Sequence, residues 1–222
     1  MKINLPNVTL VAADCTDKIM KTIEAMNISS GGIRFGETIL FSHKKPDIMP
    51  SYFRFEKIPK IENLDMYSHF MFKELGKYVN TSHCLTVQAD GYVINPNLWD
   101  NSWLQWDYIG ACWGYSETSY IAWGSGEHVK NGNGGFSLRS KKILQIPIDH
   151  DLPLLQERGY FNEDGNLTCY YNQLMLTLGV KYAPAEVAAK FSYENEVPEN
   201  KNIKEFFGFH KHDPRIVRRQ NE

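Results

Sequence analysis

Four short stretches of this sequence carry residues whose types and spacing can do chemistry. In Val87-Gln88-Ala89-Asp90-Gly91-Tyr92, an apolar run from Cys84 to Val87 gives way to an amide, a carboxylate and a glycine. A carboxylate at the end of a buried strand loses hydration, so either a turn's own backbone or a cation must compensate it. Gly132-Asn133-Gly134-Gly135 can bring backbone N–H groups close to a ligand, and it can equally be a loose loop. Asn162-Glu163-Asp164 sets two carboxylates ahead of an apolar helical stripe. There they either complement the helix dipole or take a proton from a substrate. His210, beside Phe209 and near His212, is a metal ligand or an ordinary partly buried histidine. Each stretch alone reads first as structure, and only their order along one chain points to a site.

The elements that must position these residues follow from periodicity. Residues 8–13 (VTLVAA) predict a buried strand ending at Asp14. Thr16 is the expected N-cap of a helix with Ile19, Met20, Ile23 and Met26 on one face. A strand–loop–helix opening of this kind holds nucleotides at the strand's carboxyl end. A strand is expected at 37–42, then a Pro-punctuated loop to Asn63 with a short strand around 52–56. The apolar spacing from Tyr67 to Val79 predicts a helix, followed at once by the strand 84–87. Aromatic-rich residues 98–113 contain a short strand at 107–111, and the Gly/Ser-rich segment 114–135 is too long for a simple connector. Residues 136–146 read as a helix start with a basic face. Leu167, Tyr170, Tyr171, Leu174, Met175 and Leu178 form a core-facing helical stripe closed by Gly179, and a strand is expected at 180–183. Helices alternating with strands give an α/β fold class.

Composition narrows the function. The 222 residues, 42% of them hydrophobic, suit one large domain or a tightly fused pair. A net charge of −2, from 24 basic and 26 acidic residues, argues against nucleic acid as the main partner. The one basic cluster, Arg215, Arg218 and Arg219, reads as a solvated tail. Cys15, Cys84, Cys112 and Cys169 are far apart and form no CxxC pair, so a reducing compartment fits better than zinc or disulfides. No secretory signal and no apolar run near the ~20 residues of a membrane span are found, so the four Asn-X-Ser/Thr matches (at Asn7, Asn27, Asn80 and Asn166) read as chance.

Taken in order, the strand-end carboxylate, the glycine loop, the acidic pair and the late histidine resemble the GT-A glycosyltransferases. More narrowly, TVQADGYVINP, DYIGACW, NGNGGFSLRS, the NED acids and FGFH look like a family of small predicted glycosyltransferases of bacteria and large DNA viruses, recorded as a domain of unknown function. The resemblance runs from VTLVAADC to FGFHK and implies a GT-A-like Rossmann-type α/β/α sandwich with a mixed central sheet. It implies residues 1–100 as a nucleotide-binding half, 101–212 as an acceptor-binding half and 213–222 as a tail. It also implies transfer of a sugar from a UDP- or dTDP-sugar to a glycan hydroxyl, inversion of configuration, and Mn²⁺ or Mg²⁺ as cofactor. A cytoplasmic enzyme of polysaccharide or capsid-glycan synthesis fits, either free or as one module of a larger multidomain enzyme.

Carried onto this chain, the resemblance makes Asp90 and His210 the metal ligands and Asp164 the base, with Glu163 second. Ala12, Ala13, Asp14, Gln88, Ala89, Asp90, Asn133, Gly134 and Gly135 become donor-binding residues. Gln88 departs from the usual pattern, which has two acids, so the cation would rest on one carboxylate, diphosphate oxygens and water, and a metal-independent enzyme stays open. Asp164 is expected to stay ionised near a helix N-terminus. Trp113 or Trp123, flanking the Gly/Ser-rich loop, is expected to stack on an acceptor sugar. The alternatives are a nucleotidyltransferase, although residues 14–24 lack the glycine it usually wants, and a carbohydrate- or nucleotide-binding module without catalysis.

Overall fold

The computed structural model describes residues 2–156 and 162–217. The opening strand is longer than its apolar run: β1 (Ile3–Ala13) leads into α1 (Ile19–Gly32), which returns as β2 (Ile33–Ser42) parallel to β1. Thr16 lies before the helix, where its hydroxyl accepts the Lys18 N–H at 3.1 Å. β3 (Arg54–Lys57) adds in parallel to β2. The chain then forms α2 (Leu64–His69), capped by Asn63, whose Oδ1 accepts the Met66 N–H at 2.9 Å. It continues through a π turn (Phe70–Glu74) and a 3₁₀ turn (Leu75–Lys77) before β4 (His83–Thr86) pairs with the other side of β1.

β5 (Tyr108–Ile109) and β6 (Ser137–Ser140) complete a six-stranded sheet in the order β3-β2-β1-β4-β6-β5, with β6 antiparallel to both neighbours. The strand order reverses between β1 and β4. A crevice for ligands is therefore expected at their carboxyl ends, beside Asp14 and Gln88. The two expected halves share this one sheet, since β4 pairs directly with β6.

Alternation along β1 divides the core. Leu10 and Ala12 pack with Ile23 and Met26 of α1 and with Ala188, Ala189 and Phe191 of α6 (Ala185–Phe191) on one face. Val11 packs with Phe70, Met71, Leu75 and Leu144 on the other face, Leu144 coming from α3 (Lys141–Asp149). Helices on both faces of a mixed sheet make the α/β/α sandwich expected from the sequence.

Two elements differ from their expectation. Residues 137–140 are strand β6, and the helix begins only at Lys141, with Ser140 Oγ accepting the Ile143 N–H at 3.2 Å. Phe136 and Leu138, both fully buried, are two residues apart, which is a strand's period; the lysines that suggested a helix belong to α3. At 180–183 there is no strand, only a bridge from Tyr182 to Tyr108. The stripe expected at 167–178 lies on α4 (Glu163–Gly165), a π turn (Asn166–Tyr170) and α5 (Asn172–Thr177), and Gly179 follows with φ +75°. β7 (Ser192–Tyr193) pairs in parallel with β8 (Gly208–Phe209), and α7 (Pro214–Val217) ends the described chain. Arg218 and Arg219 of the basic cluster lie outside the described residues, and Arg215 is ion-paired with Asp213. Among the described residues no helix is long and apolar enough to cross a membrane.

Candidate functional site

β4 delivers the first part of the site. Past its end, Gln88 and Gly91 exchange backbone hydrogen bonds (2.9 and 3.1 Å), so the Asp-Gly turn forms as its residue types dictate. The turn aims two acceptors at His210: Gln88 Oε1 is 3.3 Å and Asp90 Oδ1 4.0 Å from His210 Nε2. Gln88 Nε2 meanwhile donates to Tyr67 Oη at 2.8 Å, which fixes the amide's orientation. Burial, then the charge of Glu163, push the Tyr67 phenol well above its ordinary range, so it stays protonated. On the opposite edge of the ring, His210 Nδ1 lies 3.2 Å from Oε1 of buried Glu194.

Two glycines make the slot for this imidazole. A Cβ on Gly135 would come within 2.1 Å of His210 Nε2, and one on Gly91 within 3.1 Å of Cδ2. The space at Gly135 is therefore taken by the chain's own histidine. At Gly134 a Cβ would meet Arg139 Nη2 and Glu163 Oε1, both at 2.8 Å. The Gly134 N–H donates to Asp164 Oδ2 (2.9 Å) and the Gly135 N–H to Asn133 Oδ1 (3.1 Å). Both glycine N–H groups, expected to face a donor, are engaged within the chain.

A cleft of about 430 Å³ is walled in part by Glu194 and Lys211, the neighbours of the histidine. Its walls include Trp113, Tyr120, Asn133, Asp164, Glu194 and Lys211. Trp113 stacks on Tyr120, with ring centroids 4.2 Å apart and planes at 23°. Tyr120 holds a left-handed φ of +60°, a conformation that costs a non-glycine residue of order 1 kcal/mol and clusters at ligand sites. Trp123 instead meets Tyr170 edge-on, away from this wall.

The acidic pair splits into two roles. Glu163 is buried and ion-paired at 2.8 Å with Arg139, which is itself fully buried on β6. Arg139 also donates to Ser137 Oγ (2.9 Å) and the Gly134 carbonyl (3.1 Å). Glu163 thus serves as the counter-ion of a buried guanidinium. Asp164 faces the cleft, and its two oxygens accept the Gly134 and Gly165 N–H groups at 2.9 and 2.7 Å. Burial first, and the charge of Glu163 second, raise its carboxyl to about 7 against the opposing pull of Arg139 and the two N–H donors. Burial thus works against the ionised state expected of Asp164 near a helix terminus.

The end of β1 is less open than expected. Ala12 is a core residue, with 3% of its surface exposed. Asp14 accepts from the Thr16 N–H (2.7 Å) and the Thr22 hydroxyl (2.6 Å), so both oxygens already brace the start of α1. That leaves Ala13 and Ala89, both partly exposed, as the small side chains at the β1 and β4 ends. A second cleft of about 390 Å³ lies between Thr16, Ile19 and Met20 and the loop His43–Ile48.

The donor set suits a hard divalent cation in part. Carboxylate, amide oxygen and imidazole fit Mn²⁺ or Mg²⁺, and separations of 3.3 and 4.0 Å match ligands about 2.1 Å from one octahedral ion. Among the described residues no three His, Cys, Asp or Glu side chains gather as a complete metal site. Such a cation would take its remaining ligands from water and phosphate, as Mg²⁺ commonly does.

Residues 49–210 match the model of a family described as "Protein of unknown function (DUF5672)". The chain belongs to this family. The DUF5672 segment spans β3 to His210 and so holds Gln88, Asp90, Asn133, Asp164, Glu194 and His210, but not the end of β1. No curated protein matches the chain. Among solved structures, the DUF5672 chain is similar to a glycosyltransferase involved in glycosylation of the major capsid of PBCV-1, at 13% identity and a TM-score of 0.50, covering 96% of this chain and 97% of that one. It is also similar to the galactosyltransferase LgtC bound to donor and acceptor sugar analogues, at 12% identity and TM-score 0.54, covering 93% and 87%. An active-site mutant of LgtC gives 13% identity, TM-score 0.55, and coverage of 93% and 88%. At these identities the likeness is one of fold, and the fold is GT-A.

Sequence reasoning missed three members of this DUF5672 site: Glu194, Arg139 and Lys211. Glu194 follows the buried pair Ser192–Tyr193, the same signal of a carboxylate at a strand's end that drew attention to Asp90. Arg139 sits in the alternating run Phe136–Ser140, where an ionisable residue among buried ones demands a partner. Lys211 carries no comparable signal in the sequence.

Proposed function

We propose that this chain is a glycosyltransferase that moves a sugar from a nucleotide-diphosphate sugar, UDP- or dTDP-linked, to a hydroxyl of a glycan acceptor with inversion at C1. The observation that carries the reading is the convergence of Gln88 Oε1, Asp90 Oδ1 and His210 Nε2 at the end of β4, on a GT-A fold and next to a cleft walled by Asp164. A carboxylate, an amide oxygen and an imidazole nitrogen within 3.3–4.0 Å of one another through His210 are the kinds of ligand a hard divalent cation takes. A divalent ion held by Asp90, His210 and the Gln88 amide would supply Lewis-acid stabilisation of the leaving diphosphate.

The chain's own residues account for the rest. The crevice at the β1 and β4 ends holds the nucleotide, with Ala13 and Ala89 permitting close approach. Trp113 and Tyr120 offer an aromatic wall for the C–H face of the acceptor sugar. Asp164 accepts the proton of the acceptor hydroxyl as its oxygen bonds to C1 and the bond from C1 to the diphosphate breaks. A base whose carboxyl titrates near the working pH is matched to that step.

The test combines thermal unfolding and turnover. UDP, dTDP and GDP are each added with and without Mn²⁺; a ligand at 100 times its Kd adds about 2.7 kcal/mol, a readable shift. One nucleotide is expected to stabilise the chain only with the cation, its sugar conjugate to be hydrolysed or transferred, and Asp90→Ala to abolish both effects. Sugar binding with no nucleotide effect and an unaffected Asp90→Ala protein would identify a non-catalytic carbohydrate module instead.

A further inference from the structure

Glu194 is absorbed by neither the expected motifs nor the proposed chemistry, yet it lies directly behind the histidine. β7 and β8 pair in parallel with Ser192 opposite Gly208 and Tyr193 opposite Phe209, so the register sets Glu194 opposite His210. The His210 N–H closes that register on the Tyr193 carbonyl at 2.8 Å. Glu194, 4% exposed, then receives three donors from two segments. Its Oε1 faces His210 Nδ1 (3.2 Å) and Lys211 Nζ (2.7 Å), and its Oε2 takes the Asn133 Nδ2 at 3.0 Å. Lys211 Nζ and Asn133 Nδ2 can only donate, so both oxygens of Glu194 are engaged as acceptors.

An acceptor oxygen beside Nδ1 favours the tautomer of a neutral His210 with its proton on Nδ1, which would present the Nε2 lone pair toward Gln88 Oε1 and Asp90 Oδ1. We propose that Glu194 is the positioning residue of the cation site, fixing the tautomer and the ring plane of His210 from behind and tying Asn133 of the glycine loop to the same carboxylate. This rests on the reading of Asp90 and His210 as the cation's ligands. A purely structural Glu194 would neutralise Lys211 and fill space without selecting a tautomer. The carboxylate–histidine–cation relay has a known scale: losing the outer carboxylate costs about 10–100-fold in metal affinity.

The experiment needs no sugar donor, so its failure is separable from failure of the glycosyltransferase reading. Long-range ¹H–¹⁵N correlation spectra of the ¹⁵N-histidine-labelled chain report which nitrogen of His210 carries the proton, assigned with His210→Ala. Mn²⁺ affinity is read alongside by calorimetry. The wild-type chain is expected to show the Nδ1–H form and to bind Mn²⁺. Glu194→Ala is expected to lose that tautomer preference and about 10–100-fold in Mn²⁺ affinity. Glu194→Gln, which keeps an acceptor oxygen, is expected to retain the tautomer, and Lys211→Ala to leave it unchanged. A proton on Nε2 in the wild-type chain, no Mn²⁺ binding by it, or a folded Glu194→Ala with unaltered tautomer and affinity each overturns the proposal. The wild-type spectrum alone suffices should Glu194→Ala not fold.

Discussion

Gly135→Ala is the sharpest probe of how the histidine is held. The added methyl group would lie 2.1 Å from His210 Nε2, 2.3 Å from Cδ2 and 2.5 Å from Cε1. Ordinary contacts between such atoms are about 3.5–4.0 Å, so the ring must retreat by roughly 1.5 Å. It has little room to do so, because Gly91 lies against Cδ2 and Glu194 holds Nδ1. The backbone itself takes no strain: Gly135 is not among the glycines with positive φ. Overpacking of this kind costs about 1–3 kcal/mol, and near 2 kcal/mol the Tm of a chain this size falls by about 4–8 °C. The same substitution made in His210→Ala should cost almost nothing, since the obstructing ring is gone. The double-mutant cycle, measured by urea unfolding, is therefore expected to give a coupling of about 1–3 kcal/mol, with Mn²⁺ binding lost in each single variant. Equal costs of Gly135→Ala in both backgrounds would refute the account, and the glycine would then serve the backbone rather than the histidine.

Further predictions concern the acids and the cleft. Asp164→Asn is expected to lower kcat at least about 10²-fold while the nucleotide still binds, and unchanged turnover would move the base elsewhere. In the wild-type chain kcat should rise with pH through an inflection near 7, because only the ionised Asp164 accepts a proton. Glu163→Gln removes the neighbouring negative charge and should shift that inflection downward; an upward shift would contradict the assignment of causes. The stability linkage has the opposite slope. A carboxyl raised in the folded state binds protons that the unfolded chain releases, so its favourable contribution is present below the ordinary aspartate range and declines as pH rises toward 7, which Tm against pH measures in wild type and Asp164→Ala. Tyr120→Ala should raise the acceptor KM by about 2- to 13-fold, the equivalent of 0.5–1.5 kcal/mol of aromatic contact, and leave donor hydrolysis unaltered.

Much of the fold was legible because its signals are local. VTLVAA and the Ile19–Met26 stripe carry their periods openly, and both appear as β1 and α1. The strand at 137–140 was not legible in the same way. Its four residues are all buried, including an arginine, and the lysines after it mimic a basic helix face. What misled there was a tertiary fact, the ion pair with Glu163 far along the chain. The site shows the same division. Type and order single out Asp90, Asp164 and His210 as candidates, whereas the glycines' contacts depend on which side chain comes back to fill them. Asp164's raised carboxyl likewise follows from burial beside Glu163, which no spacing rule conveys.

The buried pair of Arg139 and Glu163 also constrains how this sequence can change over generations. Removing either partner alone strands a charge in the interior at a cost of about 3–5 kcal/mol, a large part of the ~5–15 kcal/mol by which a domain of this kind is stable. Replacing both by apolar residues of similar volume is close to neutral. The two end points are therefore both habitable, while each single step between them crosses a trough. Positions 139 and 163 should accordingly travel together through the family's history, and a lineage that has lost the arginine should be found without the glutamate.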